Sequence, residues 1–412
     1  GSFGIGSVDK WINKTKGDPM LTAKRKNKHT ALVISTLSWG VFIACGFSAH
    51  AAENYKLRQA PLGSFGGDIA TPADKPGFFG TASLTELTIE GIKGPTGAAL
   101  TRPSPISNTP LSLIDLRFAA LNAIRASVAD GAVSLKQDQT QLNLAGGYLT
   151  ESKYADGRIA FVVNLPIVKQ SRTALITYPS ATFSSPIPAV NNFNVIIPTA
   201  INGGVATAAA NASAKASDDI SGIGDTELSA VWIRHTDRLK VAAGISVFVP
   251  TGKYSVARDT ALQANPGFGD FYTIRPGVAF TYNLNPSHSN QDWDAGVTIA
   301  GRIAYGTNTV NKDTHYKSGN FVYSEAAIVK VSGDWAMGMN VFSTQQVTDD
   351  TYSGTDKTKA IIGRYKTLGA GPFISYKIPG QNAGLNFQVN NNFDGKNAIN
   401  VKSYQLRLIK AF

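Results

Sequence analysis

The sequence predicts an all-β fold, a transmembrane antiparallel up-and-down β-barrel of about twelve strands, within a range of roughly ten to fourteen. Three observations predict it. Period-two segments of 11 to 16 residues are long enough to cross a bilayer when tilted. The connections between them alternate short and long, and aromatic residues gather beside the short ones. A sandwich is the competing source of such alternation, but its strands run to about 5–6 residues.

Composition bounds the reading. The 412 residues are 43% hydrophobic and 16% charged, with 40 Gly; an ordinary globular domain carries about 25% charged residues. The apolar residues fall in short alternating runs rather than helical stripes, which points to strands. The net charge of +11 is spread, with seven basic and two acidic residues in the first 51, leaving +6 on the remainder. A nucleic-acid partner would need a clustered basic patch, which the sequence does not offer.

Residues 1–19 precede Met20 and read as an upstream translated segment or an expression remnant. From Met20 a basic stretch (Lys24 to Lys28), an apolar run (Ala31 to Phe47) and Ala49-His50-Ala51 form the three parts of a secretory signal peptide over residues 20–51, cleaved near Ala51. An uncleaved anchor and a lipid-modified Cys45 are the alternatives. Cys45 is the chain's one cysteine, so a chain starting at Ala52 holds no disulfide or thiolate metal site. Residues 52–110 are rich in Gly and Pro without periodicity and read as a leader, folded into the lumen as a plug or left without structure.

The barrel is expected over residues 111–412. Its first strands fall near 114–127, 138–152 and 157–170, although 112–127 also reads as helix; a long Ala/Asn/Ser/Pro-rich loop then runs to about 221. Nine strands follow from residue 222. Leu385, Phe387 and Val389 alternate with Asn386, Gln388 and Asn390, and Leu239, Val241, Ala243, Ile245 and Val247 share one face. Short turns at 235–237, 285–291, 332–334 and 379–382 read as periplasmic. Longer connections at 250–270, 307–319, 349–363 and 394–399 read as extracellular. Trp232, Trp293, Trp335 and Tyr376 lie within a few residues of short turns and, with Phe412, are expected to form one interfacial girdle. In the last strand Tyr404, Leu406 and Leu408 are expected to face lipid.

The inward face is expected to carry Glu227, Asp294, Arg302, Asn386, Gln388, Asn390, Gln405 and Arg407, bonded to one another or to a plug, or lining a passage. Their mixed signs argue against strong ion selectivity, which takes rings of like charge. Catalysis is poorly provided for. Past the signal peptide the histidines are His235, His288 and His315, in turns or a loop, and no G-x-S-x-G, H-E-x-x-H or phosphate-cradling glycine loop occurs. The chain therefore reads as no enzyme and as needing no cofactor. Asp349, Asp350 and Asp356 share one loop and are candidates for calcium, without EF-hand spacing.

Five segments occur in an order that resembles the SphA / phenol meta-pathway degradation family of proposed outer-membrane transporters. They are S-G-I-G-D-T-E-L (Ser221 to Leu228), V-F-V-P-T-G-K-Y (Val247 to Tyr254), D-T-H-Y-K-S-G (Asp313 to Gly319), Q-Q-V-T-D-D (Gln345 to Asp350) and G-A-G-P-F-I-S-Y (Gly369 to Tyr376). Pro61 to Gly80 is similar to the family's Gly/Pro-rich leader. The third segment departs from the pattern, with His315 and Lys317 where the family tends to an acid and an Arg, and an acid displaced to Glu325. The resemblance implies an outer-membrane barrel of a Gram-negative bacterium, assembled through its Phe412 strand by the barrel-assembly machinery. It also implies passive passage of small hydrophobic or aromatic compounds. The expected partners are outer-membrane lipid and the solute, and the expected state is a monomer. A barrel-embedded lipid-acting enzyme and a non-conducting structural or adhesive barrel are the alternatives.

Overall fold

The computed structural model describes residues 53, 57–58, 76–104, 106–114, 123–184, 196–236, 238–260, 263–285, 296–354 and 363–412. The 1–19 segment, the signal peptide over 20–51, most of the leader, His288, Trp293, Asp294 and Asp356 lie outside the described residues.

Twelve antiparallel strands close into a barrel. They are β1 (Gly77–Lys93), β2 (Gly131–Leu149), β3 (Arg158–Thr177), β4 (Thr226–His235), β5 (Leu239–Val249), β6 (Thr273–Asn283), β7 (Val297–Asn308), β8 (Phe321–Ser332), β9 (Trp335–Gln346), β10 (Lys366–Ile378), β11 (Ala383–Lys396) and β12 (Ala398–Ala411). Each pairs with its sequence neighbours, and β12 pairs with β1 from Phe79 opposite Ala411 to Lys93 opposite Ala398. Closure leaves no free edge, so every barrel strand has a hydrogen-bonded neighbour on both sides.

The side-chain rows are inverted relative to a water-soluble protein. On β12 Tyr404, Leu406 and Leu408 are exposed while Ser403, Gln405 and Arg407 are buried. On β11 Leu385 and Phe387 are exposed while Asn386, Gln388 and Asn390 are buried. An outer face that is apolar and an inner one that is polar suit a wall between hydrocarbon and a lumen.

That inversion stops part-way up the longest strands. β1, β2 and β3 run 17, 19 and 20 residues. Above the level where Glu86 faces Tyr404 and Thr140, the outer row turns polar, with Glu90 paired to Lys402 and Asp138 bonded to Thr88. At the same height the inner row turns apolar, and Ile89, Ile92, Leu135, Ala174 and Val401 pack together with Ala216. These strands outgrow the apolar belt, and beyond it the barrel is built like a soluble protein.

A small cap sits over that extension. Thr109–Pro110, Arg125–Ser127 and Thr182–Ser184 form a three-stranded sheet. The helix Ile196–Ala216 supplies Ile201 and Val205 to a core with Ile106, Leu111, Ile114, Ile124 and Val128. Its far end is tied to the wall, where the backbone N–H of Ile176 donates to Ser213 Oγ at 2.8 Å. No helix among the described residues is long and apolar enough to cross a membrane.

Three expectations need correction. The first barrel strand is not 114–127. Leu111–Ile114 is a helical turn and Arg125–Ser127 belongs to the cap, because Leu111, Ile114, Ile124 and Val128 have their own core to fill. The first strand is instead β1, inside the 52–110 segment expected to lack strands. The connection at 394–399 is not a long loop either: Asn397 alone separates β11 from β12, its φ of 47° closing the turn. With one strand exchanged for another, the count remains twelve.

Candidate functional site

The lumen is where the inward rows converge. Register sets Gln388 beside Gln405, Gln405 beside Thr85 and Thr85 beside Gln141, one level across β11, β12, β1 and β2. Gln405 Nε2 donates to Thr85 Oγ1 at 2.9 Å, and Arg407 donates to Gln405 Oε1 at 2.8 Å. Asn386 Nδ2 donates to Ser375 Oγ at 2.8 Å. Across the barrel Glu227 pairs with Arg275 at 2.5 Å, and Arg302 pairs with Glu325, which also accepts from the Tyr323 hydroxyl. The expected lumen residues among those described thus all face inward, but in separate groups rather than one track. Asn390 is buried in the same row as Asn386 and Gln388.

Sequence reasoning missed the most regular part. On β2 Gln137, Gln139, Gln141 and Asn143 form a ladder, each Nε2 donating to the next side-chain oxygen at 3.1, 2.9 and 2.9 Å. Gln170 and Arg172 of β3 join it, donating to Gln139 and Gln137 at 2.8 and 2.7 Å. The signal was the run K-Q-D-Q-T-Q-L-N, amides at a spacing of two.

The chain ahead of β1 enters this space. Leu57 packs with Phe321, Tyr323, Tyr365 and Ala398. Arg58 Nε donates to Asp225 at 2.9 Å, its Nη2 to Gly269 O at 2.9 Å and its Nη1 to Phe271 O, with the guanidinium 3.9 Å from the Phe271 ring centroid. The two side chains are 1% and 5% exposed, a buried ion pair joining the leader to the wall. Further back, Glu53 accepts from Asn311 Nδ2 at 2.8 Å, and its N–H donates to Ser318 Oγ at 3.0 Å.

Local sequence explains where Asp225 points. β3 pairs with β4 over Arg158–Asn164 and with the short strand Asp218–Ile223 over Ile167–Arg172. Pro166 sits in the gap, without an N–H for the ladder, and only its carbonyl is used, by Gly224 N at 2.8 Å. A Cβ on Gly224 would come within 2.9 Å of the Pro166 ring. The break at Gly224-Asp225 frees the carboxylate, which also accepts from Gly252 N and Phe268 N, both at 3.0 Å. Two of the quoted segments therefore meet at Asp225. The third and fourth meet at Asp350, which accepts from Gly319 N, Gln346 Nε2 and the Tyr316 hydroxyl.

That arrangement bears on calcium. Asp350 is buried with its oxygens engaged by the protein, and Asp349 is exposed and paired with Arg364 at 2.8 Å. Arg364 holds the Asp349 carboxyl below its ordinary pKa by hydrogen bond and charge. No group of three or more metal-ligating side chains occurs among the described residues. His235 ends β4 and His315 lies in a loop with a φ of 58°.

At the opposite rim the aromatics sit as follows. Trp335 and Tyr376 are cross-strand partners with ring centroids 4.6 Å apart. Trp232 donates through Nε1 to Tyr154 O at 2.7 Å, and Phe412 is 77% exposed with Lys410 Nζ 5.7 Å from its ring centroid.

Comparison with known proteins follows the same lines. A family model described as "Putative MetA-pathway of phenol degradation" matches residues 123–408. No curated protein matches the chain. Among solved structures, the COG4313 outer membrane channel from Pseudomonas putida F1 is similar in fold, with a TM-score of 0.53 and 12% identity over 86% of this chain and 100% of that one. Looser likenesses include the transport unit of the autotransporter AIDA-I from Escherichia coli (TM-score 0.42, 9% identity, 87% and 95% covered). A Pseudomonas aeruginosa FadL homologue follows (0.32, 11%, 88% and 98%).

Proposed function

The chain belongs to the family described as "Putative MetA-pathway of phenol degradation", and from that premise we propose that it is an outer-membrane barrel for passive entry of small hydrophobic or aromatic compounds. The observation that carries this reading is the lumen: an interior holding a cavity of about 250 Å³ lined by both amides and apolar side chains, with Leu57 and Arg58 of the leader among its walls. The solved relative whose fold it shares is itself an outer membrane channel.

The rim with Trp335, Tyr376 and Phe412 is periplasmic, and the capped rim faces outward. The strand ending at Phe412 is the segment that barrel-assembly machinery engages, and the barrel works as a monomer after removal of residues 20–51. The leader, held by the Arg58–Asp225 pair and by Glu53, acts as a plug that narrows the path. Glu227, Arg302, Asn386, Gln388, Asn390, Gln405 and Arg407 line that path, and Asp294 extends the set. The chain reads as no enzyme, with Arg58–Asp225, Glu227–Arg275 and Arg302–Glu325 engaged as ion pairs within the wall.

The test is entry of radiolabelled toluene into Gram-negative cells whose own hydrophobic-solute channels are deleted. Cells expressing the barrel should take up toluene faster than cells with empty vector, and a protonophore should leave the initial rate unchanged. Equal rates with and without the barrel would refute the reading.

A further inference from the structure

Gln388 is 1% exposed, and neither its amide oxygen nor its nitrogen has a hydrogen-bond partner within the protein. Buried amides are normally bonded, so such a residue marks a place built for something else to bond. The amides level with it on β12 and β2 are engaged: Gln405 with Thr85 and Arg407, Gln141 with Asn143. Gln388 lines the cavity of about 250 Å³. Toward the capped rim the wall of that cavity becomes apolar, through Leu57, Leu87, Ile89, Ile399 and Val401.

Charge narrows what could sit there. Of the cations lining the cavity, Arg58 is held by Asp225, and Arg172, whose Nε donates to Gln137, lies in the field of Asp259. The lining acids are matched too, Asp225 by Arg58 and Glu227 by Arg275. An ionised solute would lose its hydration without gaining a counter-charge. A bare hydrocarbon would leave Gln388 unbonded. A hydroxyl both donates and accepts, as the amide does.

We propose that this cavity is a binding station for a small uncharged amphiphile, its hydroxyl or amide head on Gln388 and its apolar body against Ile89, Ile399 and Val401. The proposal rests on passive entry through the lumen and names the class of solute. An apolar cavity of about 150 Å³ accepts benzene, so the volume here suits one ring with a single substituent. The head sits deeper than the body, so a solute arriving from the capped rim enters head first.

The test is isothermal titration calorimetry on the full chain folded in detergent, with benzyl alcohol, toluene and benzoate as matched probes. Benzyl alcohol should bind about tenfold tighter than toluene, the worth of one net hydrogen bond, and benzoate should bind weakest. Gln388→Leu should bring benzyl alcohol down to the affinity of toluene while toluene binds as before. No bond within the protein is lost in that variant, and heat-modifiable migration on a gel checks that it folds. Benzyl alcohol and toluene binding equally to the wild type, benzoate binding tightest, or an equal loss of both neutral probes in Gln388→Leu would overturn the proposal. The wild-type ranking stands as a test without any variant. Toluene entering cells through a barrel that lacks the ranking would leave the transport reading standing and overturn this one alone.

Discussion

Asp225 shows how much depends on one side chain. It closes a buried ion pair with Arg58 and caps two backbone N–H groups of the loop after β5. Removing one partner of a buried pair costs about 3–5 kcal/mol because the other is left charged and dry. Asp225→Ala should therefore release the leader, and single-channel conductance in planar bilayers should rise above that of the wild type. Unchanged conductance would mean the leader is held elsewhere or does not narrow the path. The segment S-G-I-G-D-T-E-L was legible in the sequence, but its meaning was not: nothing in one dimension reveals that Pro166, some 60 residues earlier, breaks the ladder beside it. Likewise Arg58 lay in a stretch without periodicity, and its partner could not be read from spacing.

At the scale of the strand, β12 was readable from its alternation alone, and β11 nearly so. Within the apolar belt both keep one apolar face, exposed at Leu385, Phe387, Tyr404, Leu406 and Leu408. Leu406→Arg places a charge on that face and should lower the unfolding free energy by roughly 2–4 kcal/mol, measured by urea titration in bilayers. A negligible change would contradict a hydrocarbon-facing Leu406. β1 escaped notice because it changes phase along its length. Leu84 faces outward, but Leu87 and Ile89 face inward, since the strand leaves the apolar belt between them. A period-two count over the whole strand averages the two halves away. β2 shares the change, with Leu144 outward in one half and Val133 and Leu135 inward in the other. The cap was illegible for another reason: its core joins residues near 111 to residues near 201, a tertiary pairing that local pattern does not encode.

Over the whole molecule, the closed barrel and the apolar outer row followed from bilayer physics, whereas the count of twelve arises with β1 in place of the strand expected at 114–127. The lumen was legible as polar; which polar groups bond to which depends on barrel register and became visible only with closure. Register puts Ser403 beside Leu87, buried in the wall of the cavity. A large side chain there should block the route without touching the outer face. The most direct measurement is the initial rate of radiolabelled toluene entry into channel-deficient cells, comparing wild type, Ser403→Trp and empty vector at equal amounts of heat-modifiable barrel. A path through the lumen predicts a high rate for the wild type and a rate near that of empty vector for Ser403→Trp. Equal rates for wild type and Ser403→Trp would contradict it.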